Sequence, residues 1–234
     1  VIELFFKRHG IKLERSVATS LQKKTEGWIT ALQLVSLALK NKPNIEKELA
    51  LFSGDLITLS DFLVREILSG LSDDMKELLF STALLDKYCL GLVQACCGSQ
   101  EDDNSDLLKL ETLFDQLIDS NFFLVPLDEK REWFRYHHLF QKTLIKHLGS
   151  RFDDERVKRV HYLAAKWFAD KGFINEALDQ FVKSGKVEEA VETIRINAHY
   201  EYLKNVGKVK TWLSKLPLDV IENNPELQIV KAWY

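Results

Sequence analysis

Two adjacent histidines, His137 and His138, are the side chains best placed for chemistry in this sequence. An imidazole changes charge near neutral pH and can donate a hydrogen bond to an anion such as phosphate. Both lie where the run EWFRYH passes into LFQKTLIKHL. A histidine at such a junction often serves structure alone, so its surroundings must decide. The thiols offer less. Cys89, Cys96 and Cys97 form an odd, clustered set that is no disulfide framework and lacks a second pair of ligands at zinc-site spacing. They read as buried structural thiols in a reducing compartment. Gly185-Lys186 is followed by Val187, so it is not the end of a phosphate-binding GxxxxGK[ST] loop. HExxH, GxSxG and GxGxxG are absent, and the carboxylates fall on polar helix faces. No catalytic residue and no metal site is assigned, and the chain by itself is not expected to be an enzyme.

The elements that must position the histidines are mostly helices. Gly (10) and Pro (4) are scarce among 234 residues, which favours helices joined by short loops over a β-sandwich or barrel. TEGWITALQLVSLALK, Thr25 to Lys40, carries apolar residues at 28, 31, 32, 35, 38 and 39, one wide helical face. Ser60 caps a helix running DFLVREILSGL. Ser72 caps DDMKELLFSTALL, with Asp73 and Asp74 where a helix dipole favours them. GLVQACCG is a short apolar helix, and EDDNSD at 101–106 reads as a polar loop. DLLKLETLFDQLIDSN follows, apolar at 107, 110, 113, 114, 117 and 118. FFLVPL and EWFRYH flank the charged turn DEKR, the pattern of a β-hairpin. Helices, then a helix and a hairpin, make the order of a winged helix. This hairpin is the only β structure expected.

A winged helix invites a DNA-binding reading, and charge opposes it. The helix before the hairpin carries Asp106, Lys109, Glu111, Asp115 and Asp119, four minuses against one plus. Phosphate repels such a helix from a major groove. The whole chain, at a formal charge of -3, has no general attraction for nucleic acid.

Beyond residue 153 the texture changes. Val157, Val160, His161, Ala164, Trp167 and Phe168 mark one helical face. Gly172-Phe-Ile-Asn-Glu-Ala-Leu178 is then echoed 13 positions later by Gly185-Lys-Val-Glu-Glu-Ala-Val191, and more weakly by Gly207-Lys-Val-Lys-Thr-Trp-Leu213. A Gly turn followed by small and apolar residues suits stacked helical hairpins. The fold class expected is mainly α: a helical domain (1–58), a winged helix with a short β-hairpin (59–152), and the start of a TPR-like helical-repeat superhelix (153–234). Val1 and Trp233-Tyr234 both lie in helical pattern, so both ends are expected to continue into a longer protein. The apolar runs fall short of the roughly 18 residues of a membrane span, and no signal peptide opens the chain; a cytoplasmic location is expected.

The phrases TEGWITALQLVSLAL, FFLVPLDEKREWFRYHHLF and AAKWFADKGFINEAL, with KTWLSKLP near the end, resemble the MalT-like family of ATP-dependent LuxR-type transcriptional regulators, within the STAND signalling NTPases. The resemblance runs along essentially the whole chain in order. It implies a parent with an N-terminal P-loop ATPase domain and a C-terminal helix-turn-helix, both outside this sequence. YHHLF is similar to the winged-helix motif written MHD in related apoptotic and plant-resistance proteins. His137 then matches the histidine that reaches the β-phosphate of ADP and holds the closed state, while His138 stands where that motif has Asp. EGW is similar to the adenine-proximal segment written GLPL: Gly27 matches its Gly, and Trp28 and Ile29 replace its Leu and Pro. The resemblance thus implies ATP or ADP held in the full-length protein with help from His137, Gly27 and Trp28, and no cofactor on this chain alone. The partners it implies are the parent's own P-loop domain, an inducer or protein on the helical repeats, DNA only through the C-terminal domain, and further copies after activation. A signalling hub or interaction scaffold with another effector is the alternative.

Overall fold

A computed structural model describes residues 2–11, 13–16, 18–19, 32, 35–36, 65, 67–98, 104–120, 124–149, 151–204 and 206–232. Gly27 and Trp28 lie outside these residues, as does the helix start at Ser60. Of the helix expected at 25–40, Leu32, Val35 and Ser36 are described, helical and buried. The first helix, α1 (Ile2–Arg8), buries Ile2 and Phe6.

The winged helix begins with α2 (Asp73–Ala83). The Ser72 hydroxyl accepts from the Met75 amide at 3.3 Å, and Asp73 and Asp74 occupy the first turn. After α3 (Leu90–Cys97), α4 (Asn104–Asp119) starts two residues before the expected position, so Asn104 and Ser105 belong to the helix and not to the loop. Strands β1 (Leu124–Pro126) and β2 (Phe134–Tyr136) pair antiparallel, Val125 opposite Arg135. Asp128 organises the turn between them: its carboxylate accepts from the amides of Glu132 (2.9 Å) and Trp133 (3.2 Å). Helix α5 (His138–Leu148) follows directly and packs on α2.

One pairing lies beyond the expected hairpin. Tyr88 exchanges two backbone hydrogen bonds with Phe134, at 2.8 and 2.9 Å, adding a third short strand segment to β2. A single residue has no alternation to read, so this pairing leaves no periodic trace in the sequence.

The rest of the described chain is helical: α6 (Asp154–Asp170), α7 (Ile174–Ser184), α8 (Val187–Lys204), α9 (Val206–Leu213), α10 (Leu218–Glu222) and α11 (Pro225–Ala232). Asp153 caps α6 by accepting from the Arg156 amide at 2.8 Å. Each helix packs on its successor from α6 to α9, and α11 returns to α8 and α9. The expected glycine turns at 172 and 185 are real. Gly172 (φ 78°) and Gly185 (φ 77°) are left-handed, and each follows a helix that closes the same way. The Phe173 amide reaches the Phe168 carbonyl and the Lys186 amide that of Phe181. The weaker echo differs: Gly207 is the second residue of α9 and makes no turn. Ala177 and Ala190, 13 positions apart, are fully buried, as close helix packing needs.

A polar pair is buried between α6 and α7. The His161 Nδ1–H donates to Gln180 Oε1 at 2.6 Å, both side chains nearly inaccessible. Burial holds this imidazole below its ordinary pKa, with the Gln180 bond opposing the shift. The unfolded chain therefore binds the proton more readily, and stability is lost as pH falls through about 6.5. The thermal midpoint is expected to drop between about pH 7.5 and 5.5, and His161→Gln should flatten part of that slope, as followed by circular dichroism.

Candidate functional site

His137 occupies a position that three elements fix from outside. It directly follows β2 and is the N-cap of α5, with extended backbone (φ -61°, ψ 135°). Its carbonyl accepts the first helical bond, from the Gln141 amide at 3.0 Å. Its side chain does not bond back onto the amides of its own helix. Gln141 anchors the first turn of α5: its Nε2 donates to the carbonyls of Ala83 (2.9 Å) and Leu85 (3.1 Å), at the end of α2. Phe140, Leu144 and Leu148 bury the inner face of the helix.

The strand before His137 is pinned as firmly. Tyr136 is fully buried, and its hydroxyl lies 2.8 Å from Thr82 Oγ1, which also donates to the Leu78 carbonyl. Tyr88 and Phe140 pack against the Tyr136 ring, with centroids 5.1 and 5.4 Å away. Phe134, two residues earlier, meets Phe114 of α4 edge-on. The alternation of β2 thus sends Phe134 and Tyr136 inward and Arg135 outward, next to His137.

The electrostatics favour an anion. His137 is half-buried, its ring 4.4 Å from that of exposed His138. Burial, then the positive charges of His138 and Arg135, push its pKa below the ordinary value. It is neutral at physiological pH and able to donate from one ring nitrogen. The first turn of α5 holds no acidic residue, so the positive end of the helix dipole adds to the charge of Arg135, and the imidazoles supply N–H donors. A phosphate fits this donor set, and its approach would draw a proton onto His137. Of the three residues expected at a nucleotide, the structure describes His137 alone.

The cysteines lie on or next to α3, away from this group. Cys96 is buried, and its thiol reaches the Val160 carbonyl at 3.8 Å. Burial raises the Cys97 thiol to about 11 and that of Cys89 above its ordinary value, so neither is an activated nucleophile.

A second set of residues, not picked out from sequence, joins the winged helix to α6 and α7. Lys87 Nζ lies 5.1 Å from the Trp133 ring, 5.2 Å from that of Phe173 and 2.6 Å from Glu176 Oε1. Trp133 stacks at 10° on Phe168. Arg156 reaches Glu77 at 2.6 Å, and Lys183 reaches Asp86 at 3.4 Å. Helix α3 packs closely on α6 at Gly91, where an added Cβ would stand 3.4 Å from the Trp167 ring, about van der Waals contact. Each contact joins residues some 35 to 100 positions apart, and only chain topology brings them together. Charge pairs and aromatics scattered so far apart carry no local signal.

Helix α4, the one a DNA-binding winged helix would put in the groove, presents an acidic face. Leu108, Glu111, Thr112, Asp115 and Asp119 are exposed, while Phe114 and Leu117 are buried. Its one cation, Lys109, is held by Asp74 at 2.8 Å. Among the described residues no helix is long and apolar enough to cross a membrane.

Thr82→Val tests how β2 is held. It removes the hydroxyl between Tyr136 and α2 while keeping side-chain volume. A loss of about 1–2 kcal/mol is expected by denaturant titration, because the buried Tyr136 hydroxyl loses a partner. An unchanged midpoint would show that another group satisfies Tyr136.

Comparison with known proteins agrees with the winged-helix fold. Residues 64–157 match the MalT winged helix domain. Over 211 residues the chain is 28% identical to the HTH-type transcriptional regulator MalT of Klebsiella pneumoniae, covering 88% of this chain and 22% of that protein. It is 27% identical over 238 residues to MalT of Yersinia pestis, covering 99% and 25%. It is also 27% identical over 227 residues to the serine/threonine-protein kinase PknK of Mycobacterium tuberculosis, covering 96% and 20%. The chain spans about a fifth to a quarter of the length of these relatives. Residues 64–157 thus resemble the MalT winged helix domain, and the chain as a whole is similar to MalT over most of its length.

Proposed function

We propose that this chain is the regulatory middle of an ATP/ADP-dependent signalling switch that controls transcription. The reading rests on one observation: His137, capping α5 at the end of β2, joins Arg135, His138 and an acid-free helix start in a single positive group. ADP, bridging a P-loop domain of the parent and this group, holds a closed state. The imidazole donates to a phosphate oxygen, Arg135 adds long-range attraction, and the packed β2–α5 junction holds the donor in place. An inducer or protein on the helical pairs, together with ATP, favours the open state, and open copies self-associate. The switch works through the different affinities of nucleotide for the two arrangements. The chain contributes sensing and no catalysis, and DNA contact belongs to the parent's helix-turn-helix. Gly27 and Trp28 complete the nucleotide site near the adenine.

A second reading has its own support. The same stretch matches a protein named as a serine/threonine kinase, so the module is compatible with effectors other than a transcription domain. In that reading the parent is a signalling hub whose output is not transcriptional.

His137→Ala in the full-length parent is expected to abolish ADP retention through purification and to raise basal activity. Unchanged retention and unchanged basal activity would refute the role. The pH dependence gives a second check. A bound phosphate raises the depressed His137 pKa, so binding takes up a proton and ADP affinity rises as pH falls from about 8 to 6. His137→Gln should flatten that dependence in calorimetric titrations.

A further inference from the structure

An open groove of about 740 Å³ lies between α6 and the turn from α7 to α8. None of its lining residues belongs to the His137 group. Its volume is in the range of small-molecule sites. Its lining is net positive.

Four cations face the groove: Arg156, Lys158, Arg159 and Lys186. Arg156 is already committed to Glu77. Lys158, Arg159 and Lys186 are exposed and form no ion pair among the described residues. The contrast with the nearby seam is direct, because there Lys87, Lys183 and Arg156 each have a carboxylate within 4 Å. Two carboxylates, Glu155 and Glu188, leave the groove net positive in a chain whose formal charge is -3.

The fold gathers these groups from both sides. Residues 155, 158, 159 and 162 are spaced i, i+3, i+4 and i+7, so they share the solvent face of α6, opposite buried Val160, Ala164 and Phe168. The left-handed turn at Gly185 ends α7 and brings Lys186 to the other side, at the start of the 18-residue α8. Nothing would meet a Cβ at Gly185 within 4 Å, so this side of the turn is open. Tyr162 supplies a half-buried aromatic surface in the lining.

We propose that this groove binds a small phosphorylated molecule, its phosphate held by Arg159 and Lys186 from opposite walls and its remaining part lying along Tyr162. A guanidinium matches two phosphate oxygens at once, and a lysine opposite adds a mobile point charge. Glu155 and Glu188 limit the charge that the groove accepts and can take hydroxyl donors of the ligand.

The test is calorimetric titration of the 234-residue chain with inorganic pyrophosphate at low salt. Saturable binding is expected. Arg159→Ala with Lys186→Ala should weaken it by about tenfold or more. Glu155→Gln with Glu188→Gln should tighten it, which excludes misfolding as the cause of the loss. His137→Ala should leave it unchanged, so this site and the proposed switch stand or fall separately. The proposal is overturned by the absence of saturable binding, or by binding that needs His137 and ignores Arg159 and Lys186. It is equally overturned if a tetraglutamate peptide binds more tightly than pyrophosphate, since the groove would then serve an acidic protein segment.

Discussion

The position of β2 is the constraint on which the site depends. Two backbone bonds to Tyr88 hold Phe134, and the hydroxyl contact with Thr82 holds Tyr136. These groups are buried, where a lost partner is costly and a shifted one has nowhere to go. His137 is the next residue, so its place is inherited from the strand. Its orientation relative to α2 is then fixed by Gln141, four residues on. A histidine used to read a phosphate needs this kind of support, since a donor that wanders contributes little beyond its charge.

The same strand ties the winged helix to the helices that follow. Trp133, one residue before β2, stacks on Phe168 and meets Phe173 edge-on, while Lys87 is held between Trp133, Phe173 and Glu176. Tyr88, which pairs with β2, is the neighbour of Lys87. A displacement of β2 is therefore felt on both sides at once: at His137 through the chain, and at α6 and α7 through aromatic packing. The exposed ion pairs of this seam contribute modestly, and the stacked rings carry most of its resistance to sliding.

Much of the fold was legible in the sequence because its signals were local. The Ser72 cap, the DEKR turn and the inward face of α6 rest on neighbours within about four residues. So do the left-handed glycines at 172 and 185. Where the signal was weaker, local reading erred. Leu107 continues the apolar spacing of α4 yet is 38% exposed, nearly two turns before Leu113 and Phe114 begin the packing on the core. Gly207 shares the spelling of the repeat and lies inside a helix, since a glycine turns the chain only where the helix before it ends. The site was legible only in part. Resemblance pointed to His137, and the pairing of the histidines with Arg135 follows from strand alternation. Tyr88 and Thr82, which hold the strand, gave no sign, because their partners are about 50 residues away.

The two left-handed corners have a consequence for how this chain can vary. Helix α7 lies between two corners of the same glycine geometry, one closing α6 and one closing α7 itself, and it presents Ala177, Leu178 and Phe181 to its neighbours. One added residue would turn everything after it by about 100° and advance it by about 1.5 Å. Ala190 would leave its packed position, and Lys186 would swing away from the groove it lines with Arg159. The length of α7 is therefore fixed more tightly than its outward side chains, several of which already serve ion pairs to other elements. The helix acts as a gauge block: it sets a distance and an angle, and tolerance to insertion should be sought in the loops elsewhere.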